Sequence, residues 1–313
     1  MAIDLNYQPR LSDMRRLAAP VQAFAPEAEL KQQTPRVTPA ASLAERLGYA
    51  ADFLGEFEVP WPQPVGKRQE DIQPVPDSAE NRLDYQHFSI TMSASRRMAM
   101  YVGVNVDGGA AVSVERGKDR WYFDGRLPLE AQIGEELYAD NLLDRGHLVR
   151  REDPNWGPEA ETANRDTFHF TNCSPQMAGF NQKNWLDLEN YLLDNTRRWK
   201  ERITIFTGPV FRDDDRLYRG IQIPAAYWKV VAFVTDEGKP SATAYMIDQS
   251  SELAQLEAIF GRFRTYQRSI RRIESLTGLS FGELSRYDGF SNEEALSGTR
   301  IEAELRSLSD IRI

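Results

Sequence analysis

Two stretches carry side chains whose types and spacing suit chemistry. The first is Asp144-Arg145-Gly146-His147. The second runs from Asn172-Cys173-Ser174-Pro175-Gln176 to Asn181 and on through Trp185-Leu186-Asp187-Leu188-Glu189. The first puts an arginine, a glycine and a histidine together where the pattern reads as a strand entrance. The second brings two side-chain amides and then a carboxylate onto what reads as a helix. A histidine titrates near neutrality and can take a proton from water. Amide oxygens suit a hard cation that keeps most of its waters. Arginine offers a permanent charge and a fork for phosphate oxygens. Together these are the parts needed to cut a phosphodiester.

The elements that must hold these parts follow from periodicity. Residues 1–40 are rich in Pro, Ala and Gln and show no sustained period, which reads as an extended arm. Ala41 to Leu54 has the spacing of a short helix ended by Gly55. Val59-Pro60-Trp61-Pro62-Gln63-Pro64 excludes a helix interior or a central strand, so the stretch to Asp77 reads as a wrapped linker. The resulting division is an arm and Pro-rich linker over 1–80, docking or regulatory, and a chemical domain over 81–313.

Strands are expected at His87–Met92, Met98–Val106, Trp121–Phe123, His147–Val149, Phe168–Phe170, Ile203–Phe206, Trp228–Val234 and Ala242–Ile247, with turns at Asp107-Gly108-Gly109 and Asp236–Lys239. Asn181 to about Lys200 reads as a helix, and two more are expected around Glu252–Phe260 and Thr265–Leu276. Strand runs broken by one long helix, without βαβ alternation, give an α+β class with a largely antiparallel sheet flanked by helices.

Whole-chain properties bound the partners. The chain has 313 residues, 41% of them hydrophobic. It holds no apolar run of membrane-span length, so no membrane partner is expected. One cysteine and no apparent signal peptide favour a reducing, cytoplasmic home. The net charge of −9 argues mildly against a nucleic-acid partner. A local basic groove on an acidic body would overcome it. Candidates are Arg145 with Arg150 and Arg151, then Arg197 to Lys200, and Arg262 to Arg272, the last two reading more simply as solvated helix faces. With three histidines and one cysteine, no Cys/His zinc cluster can form, so any metal must take mostly oxygen ligands.

The ordered set Asp144-Arg145-Gly146-His147, Asn172, Pro175-Gln176, Asn181 and Trp185-x-x-Leu188-Glu189 resembles the DNA/RNA non-specific endonuclease family, the ββα-metal (His-Me finger) nucleases. Thr207-Gly208-Pro209, Pro224-x-x-Tyr227-Trp228-Lys229 and Ile273-Glu274-x-x-Thr277-Gly278 are similar to its later segments. A lone DRGH would be weak; several motifs in order and at compatible spacings are specific. The resemblance covers roughly Leu83 to Ser285 and implies a ββα-metal nuclease core.

It implies roles as well. His147 would be the general base, Asn181 the direct protein ligand of Mg²⁺ (with Mn²⁺ as a substitute), and Glu189 a carboxylate holding metal-bound waters. Asn172 would position the base or the water network. Arg145, and on a looser alignment Arg120, would bind phosphate, and Asp144 would orient Arg145 or the backbone. A helix cap for Asn181, an exposed helix face for Glu189 and a turn role for Asn172 stay open from the residues alone. His169, between Phe168 and Phe170, reads as structural, as does Cys173. Asp213-Asp214-Asp215 reads as a solvated turn.

The implied activity is Mg²⁺-dependent, sugar-nonspecific hydrolysis of DNA, with RNA as a second substrate, leaving 5′-phosphate ends. Two other classes compete: an inactive nuclease-fold module that binds nucleic acid or a protein, and a thiol hydrolase built on Cys173 with His147 or His169. A nuclease beside its own cell's nucleic acid needs restraint. A homo-oligomer or a regulatory protein partner is therefore expected, as in a self-destructive antiviral defence system.

Overall fold

The computed structural model describes residues 3–14, 35–139, 141–177, 193–198, 200–250, 264–305 and 310–312. In chain order, β1 (Val37–Thr38) and β2 (Gln63–Pro64) lie on the N-terminal arm. β3 (Leu83–Tyr85), β4 (Phe88–Ser93) and β5 (Met98–Asp107) form a meander. β6 (Phe123–Asp124), β7 (Leu143–His147) and β8 (Cys173–Met177) follow. Then come β9 (Arg202–Val210), β10 (Arg216–Tyr218), β11 (Ile221–Ile223), β12 (Ala226–Val234), β13 (Pro240–Asp248), β14 (Arg264–Arg268), β15 (Leu279–Ser280) and β16 (Glu302–Leu305).

Eight of these make the central sheet in the order β16-β14-β13-β12-β9-β5-β4-β3, and every pairing in it is antiparallel. The fold is thus the α+β class with a large antiparallel sheet. All ten residues of β5 are buried, as are the first eight of β12, so both faces of the sheet are covered. On one face lies the β7–β8 hairpin with its insert. Tyr227 reaches it from β12, its hydroxyl donating to Pro175 O at 2.7 Å and lying 3.0 Å from Ser174 Oγ. The other face carries Phe206 and Trp228. It is covered by Tyr49 and Trp61 of the arm and by Phe281 near the C-terminus, at ring separations of 5.3, 6.0 and 5.4 Å. Period-two alternation along the strands assigns neighbouring residues to these opposite covers.

The arm has no core of its own. Leu43, Tyr49, Leu54, Phe57, Val59 and Val75 are buried in the same hydrophobic cluster as the sheet, so the boundary at residue 80 separates no second core. The helix expected over 41–54 is instead a single 3₁₀ turn, Ala40–Leu43, followed by turns. Tertiary contacts override the pattern: Gly48 N–H donates to Tyr85 O, Tyr49 N–H to Ser89 Oγ and Ala50 N–H to Asn105 Oδ1. Gly48 has φ +72°, and a Cβ there would collide with Asp84. β2 pairs with β15, tying the Pro-rich stretch to the far end of the chain.

Other expectations shift similarly. The strand expected at 147–149 begins earlier, at Leu143, and ends at His147. Phe168–Phe170 is not a strand; a 3₁₀ turn, Phe170–Asn172, leads into β8. Thr265–Leu276 divides into β14 and the helix Ile270–Thr277. Ser269 Oγ caps that helix at Arg272 N–H, and Gly278 ends it in the left-handed conformation. Asp215 is no solvated turn: it makes a buried ion pair with Arg96 at 2.9 Å. The helix proposed at 252–260 lies outside the described residues. Of the helix proposed over 181–200, residues 193–198 are described and are helical. Among the described residues no helix is long and apolar enough to cross a membrane.

Phe57, 2% exposed and edge-on to Tyr287 at 4.8 Å, tests whether the arm belongs to the core. Phe57→Ala should cost about 3–5 kcal/mol in a single urea transition. A loss below about 1 kcal/mol would mean the arm is peripheral.

Candidate active site

β7 and β8 pair antiparallel with Asp144 opposite Gln176, Arg145 opposite Pro175, Gly146 opposite Ser174 and His147 opposite Cys173. Gly146 is needed because the Gln176 side chain crosses its Cα; a Cβ there would collide with the Gln176 amide. Gln176 is buried, and neither atom of its amide has a hydrogen-bond partner among the described residues.

His147 sits at the end of β7 between aromatic walls. Trp121 is tilted against it at 4.6 Å, and Phe168 stands edge-on at 5.0 Å. Phe170 backs Trp121 at 5.9 Å. The residue as a whole is half-buried, but its Nε2 is enclosed and has no partner among the described residues. Burial pulls the imidazole pKa from 6.5 down to about 4; Asp119 opposes this, and Arg116, Arg151 and Arg150 add to it. The ring is therefore neutral across the physiological range and can accept a proton.

Asn172 is fully buried, and its amide is engaged by backbone. Oδ1 accepts from Val149 N–H at 2.9 Å, and Nδ2 donates to Val149 O and Thr167 O at 2.9 and 3.0 Å. It braces the chain just past His147 and does not face outward. Arg145 shares the His147 face of β7, but its guanidinium pairs through two bonds with Glu135 and lies 5.4 Å over the Tyr138 ring. A phosphate would have to compete with that carboxylate. Arg120 is exposed, next in sequence to the Trp121 wall, and makes no hydrogen bond or ion pair with a described residue. Asn181 and Glu189 lie outside the described residues.

Sequence reasoning did not identify the aromatic walls as part of the site, nor the charged residues Arg116 and Asp119, which pair at 2.9 Å. The signal available was the aromatic density of Trp121-Tyr122-Phe123 and Phe168-His169-Phe170. The other histidines have structural partners. His87 stacks on Trp156 at 3.5 Å. His169 Nδ1 donates to Asp166 O, and its Nε2 therefore accepts from Thr38 Oγ1, both at 2.8 Å.

Cys173 is buried. Its Sγ contacts Tyr138 Oη at 3.2 Å, and burial pushes its pKa up to about 12. That leaves a thiol where a hydrolase would need a thiolate.

The β7–β8 hairpin thus ends in a histidine walled by aromatic rings and backed by an antiparallel sheet. The model of the DNA/RNA non-specific endonuclease family matches residues 70–287, and the chain belongs to that family. It is 38% identical over 95% of its length to the uncharacterized protein y4fB of Sinorhizobium fredii, covering 47% of that protein. It is 28% identical to the mitochondrial endonuclease G of Homo sapiens over 44% of its length and 49% of that protein. With a nuclease of Serratia marcescens it shares 30% identity over 61% of its length and 71% of that protein. The chain thus spans about half the length of the first two relatives. In fold it is similar to the EndoG/EndoGI complex structure, with TM-score 0.52 and 18% identity, covering 65% of this chain and 86% of that one.

The Cys173 environment gives a direct check. Iodoacetamide at pH 8 should leave the folded protein unmodified and label it only after denaturation. Rapid labelling of the native protein would reopen the thiol-hydrolase reading.

Proposed function

We propose that the chain is a metal-dependent, sugar-nonspecific endonuclease that hydrolyses phosphodiester bonds of DNA and RNA, leaving 5′-phosphate and 3′-hydroxyl ends. The observation that carries this reading is His147, held neutral between its aromatic walls at the end of β7 while the residue stays half-buried. The imidazole would take the proton from the attacking water and then return it to solvent. Arg120 would hold a substrate phosphate, and Arg145 would do so on exchange from Glu135. Asn172 would fix the backbone that follows His147. Contacts of this kind read phosphate and not base, which supports low sequence preference.

The donor chemistry bears on the metal. Among the described residues no three His, Cys, Asp or Glu side chains come together to hold an ion. Nearby Glu135 and Glu152 are paired with arginines. The cation would be held by the Asn181 amide and the substrate phosphate, with Glu189 holding its waters, as the family resemblance implies. When bound, Mg²⁺, or Mn²⁺ in its place, would stabilise the charge developing on the phosphate and on the leaving oxygen. Control by a protein partner or by oligomerisation belongs to the same proposal, in keeping with a restrained, self-destructive defence role. Its support is the likeness in fold to the EndoG/EndoGI complex, in which EndoG is inhibited.

Plasmid nicking tests the proposal. His147→Ala should lower cleavage by about 10²–10⁴ without unfolding the protein, and EDTA should abolish it. Asn181→Ala should weaken activity with partial recovery at high Mg²⁺ or Mn²⁺, since mass action offsets a weak neutral ligand. Unchanged cleavage by folded His147→Ala would remove His147 from the reaction.

The pH dependence follows from the lowered histidine pKa. The active form is the neutral one, so kcat/KM should hold through pH 6.5 and fall only as pH drops toward about 4. A limb centred at 6.5 would show that the ring is not desolvated.

A further inference from the structure

The walls of His147 rest on a small parallel layer of three chain segments. Phe168–Phe170 flanks Tyr122: Tyr122 N–H donates to Phe168 O at 3.0 Å, and Phe170 N–H to Tyr122 O at 2.9 Å. On the other edge of the 121–125 segment, β1 of the N-terminal arm pairs in parallel with β6, Val37 opposite Phe123 and Thr38 opposite Asp124. Phe123 N–H donates to Arg36 O at 2.7 Å, and Gly125 N–H to Thr38 O at 2.9 Å.

Thr38 also reaches across the layer. Its hydroxyl donates to Nε2 of the buried His169, which sits between Phe168 and Phe170. Behind His169, Asp166 is held by Arg46 of the same arm at 2.7 Å. One arm segment therefore grips both strips that carry the walls, at Phe123–Gly125 and at His169. Its residues lie outside the 70–287 stretch that matches the family.

A second, independent feature belongs to the same contact. Gly125 is not in the left-handed region, so its own backbone does not require glycine. What requires it is the arm: a Cβ at Gly125 would stand 2.6 Å from Thr38 O and 3.2 Å from Ala40 N. The 2.6 Å approach to a backbone oxygen is closer than a Cβ tolerates, so the chain carries a glycine where the arm lies down.

We propose that Arg36–Thr38 is a positioning element of the active site, with Thr38 as the positioning residue that locks the Trp121 and Phe168 walls of His147. The proposal rests on the nuclease reading above. Thr38 touches neither substrate nor reacting atoms. It acts through His169 and the 121–125 segment, and the family-matching stretch alone lacks that clasp.

The test uses the full chain and four variants. Thr38→Val keeps the shape and removes the hydroxyl, Thr38→Ser keeps the hydroxyl, Gly125→Ala pushes the arm away, and His147→Ala is the control for chemistry. Nicking kinetics in Mg²⁺ are read beside thermal unfolding and the ring-current-shifted imidazole proton resonance of His147, which is assignable among three histidines. Thr38→Val and Gly125→Ala should lower kcat by roughly ten- to a hundredfold with little change in KM, the scale expected for misplaced catalytic groups. They should also shift the His147 resonance while staying folded, and Thr38→Ser should match wild type.

Folded Thr38→Val and Gly125→Ala proteins with wild-type kcat and an unmoved His147 resonance would overturn the proposal. So would losses that follow unfolding alone and that Ser does not rescue. If wild type cuts no better than His147→Ala, the nuclease reading fails, and the resonance alone then decides whether the arm positions the walls.

Discussion

The constraint on which the structure turns is that the central sheet is buried on both faces. An antiparallel sheet often leaves one face to water, but here β5 and β12 have no exposed side. Polar groups on the site face must then find partners inside the protein, because an unpaired buried polar group costs about 1–3 kcal/mol. They find them in the layer that carries the site. Tyr227 bonds Pro175 O, Gln249 Oε1 accepts from Met177 N–H at 2.9 Å, and Tyr85 donates to Asp124 at 2.5 Å while lying 2.6 Å from Thr171. The β7–β8 hairpin is therefore pinned to the sheet by directional bonds, and apolar packing alone would not fix its register so closely.

From that pinning follows the state of His147. A histidine held against Trp121 and Phe168 is poorly hydrated as an imidazolium, and nearby cations oppose the charge further. Asp119 pulls the other way, but it is paired with Arg116, which weakens its help. Burial wins, and the ring is neutral. The same enclosure exacts a cost: a group whose folded pKa lies below its unfolded value destabilises the protein as pH falls below about 6.5. The site is thus maintained by the rigidity of what surrounds it.

How much of this could be read beforehand depends on range. The strands at 87–92, 98–106, 203–206, 228–234 and 242–247 were legible because apolar and β-branched runs bounded by turns report local pairing. The motif of Arg145, Gly146, His147 and Asn172 stood out because its order and spacing resemble those of one family. Ala41–Leu54 was not legible as turns: its helical spacing is real, but its N–H groups go to Tyr85, Ser89 and Asn105, dozens of residues away. The engagement of Arg145 by Glu135 was equally hidden, since ten residues of chain separate the partners. Asp215 looked solvated until Arg96 supplied a counter-ion 119 positions earlier in the sequence.

Charge is the remaining apparent conflict, since a body of net charge −9 is asked to bind polyanions. Screening resolves it. At physiological ionic strength charges farther apart than about 8 Å scarcely act on one another, so a bound phosphate senses the side chains around His147 and not the whole surface. There, Arg116, Arg150 and Arg151 are close enough to depress the histidine pKa, and Arg120 is exposed beside the wall. The neighbouring carboxylates Glu135 and Glu152 are each tied to arginines. The acidic remainder weakens only the long-range approach. On the proposed reading, nucleic acid would be held where it is cut and only weakly elsewhere.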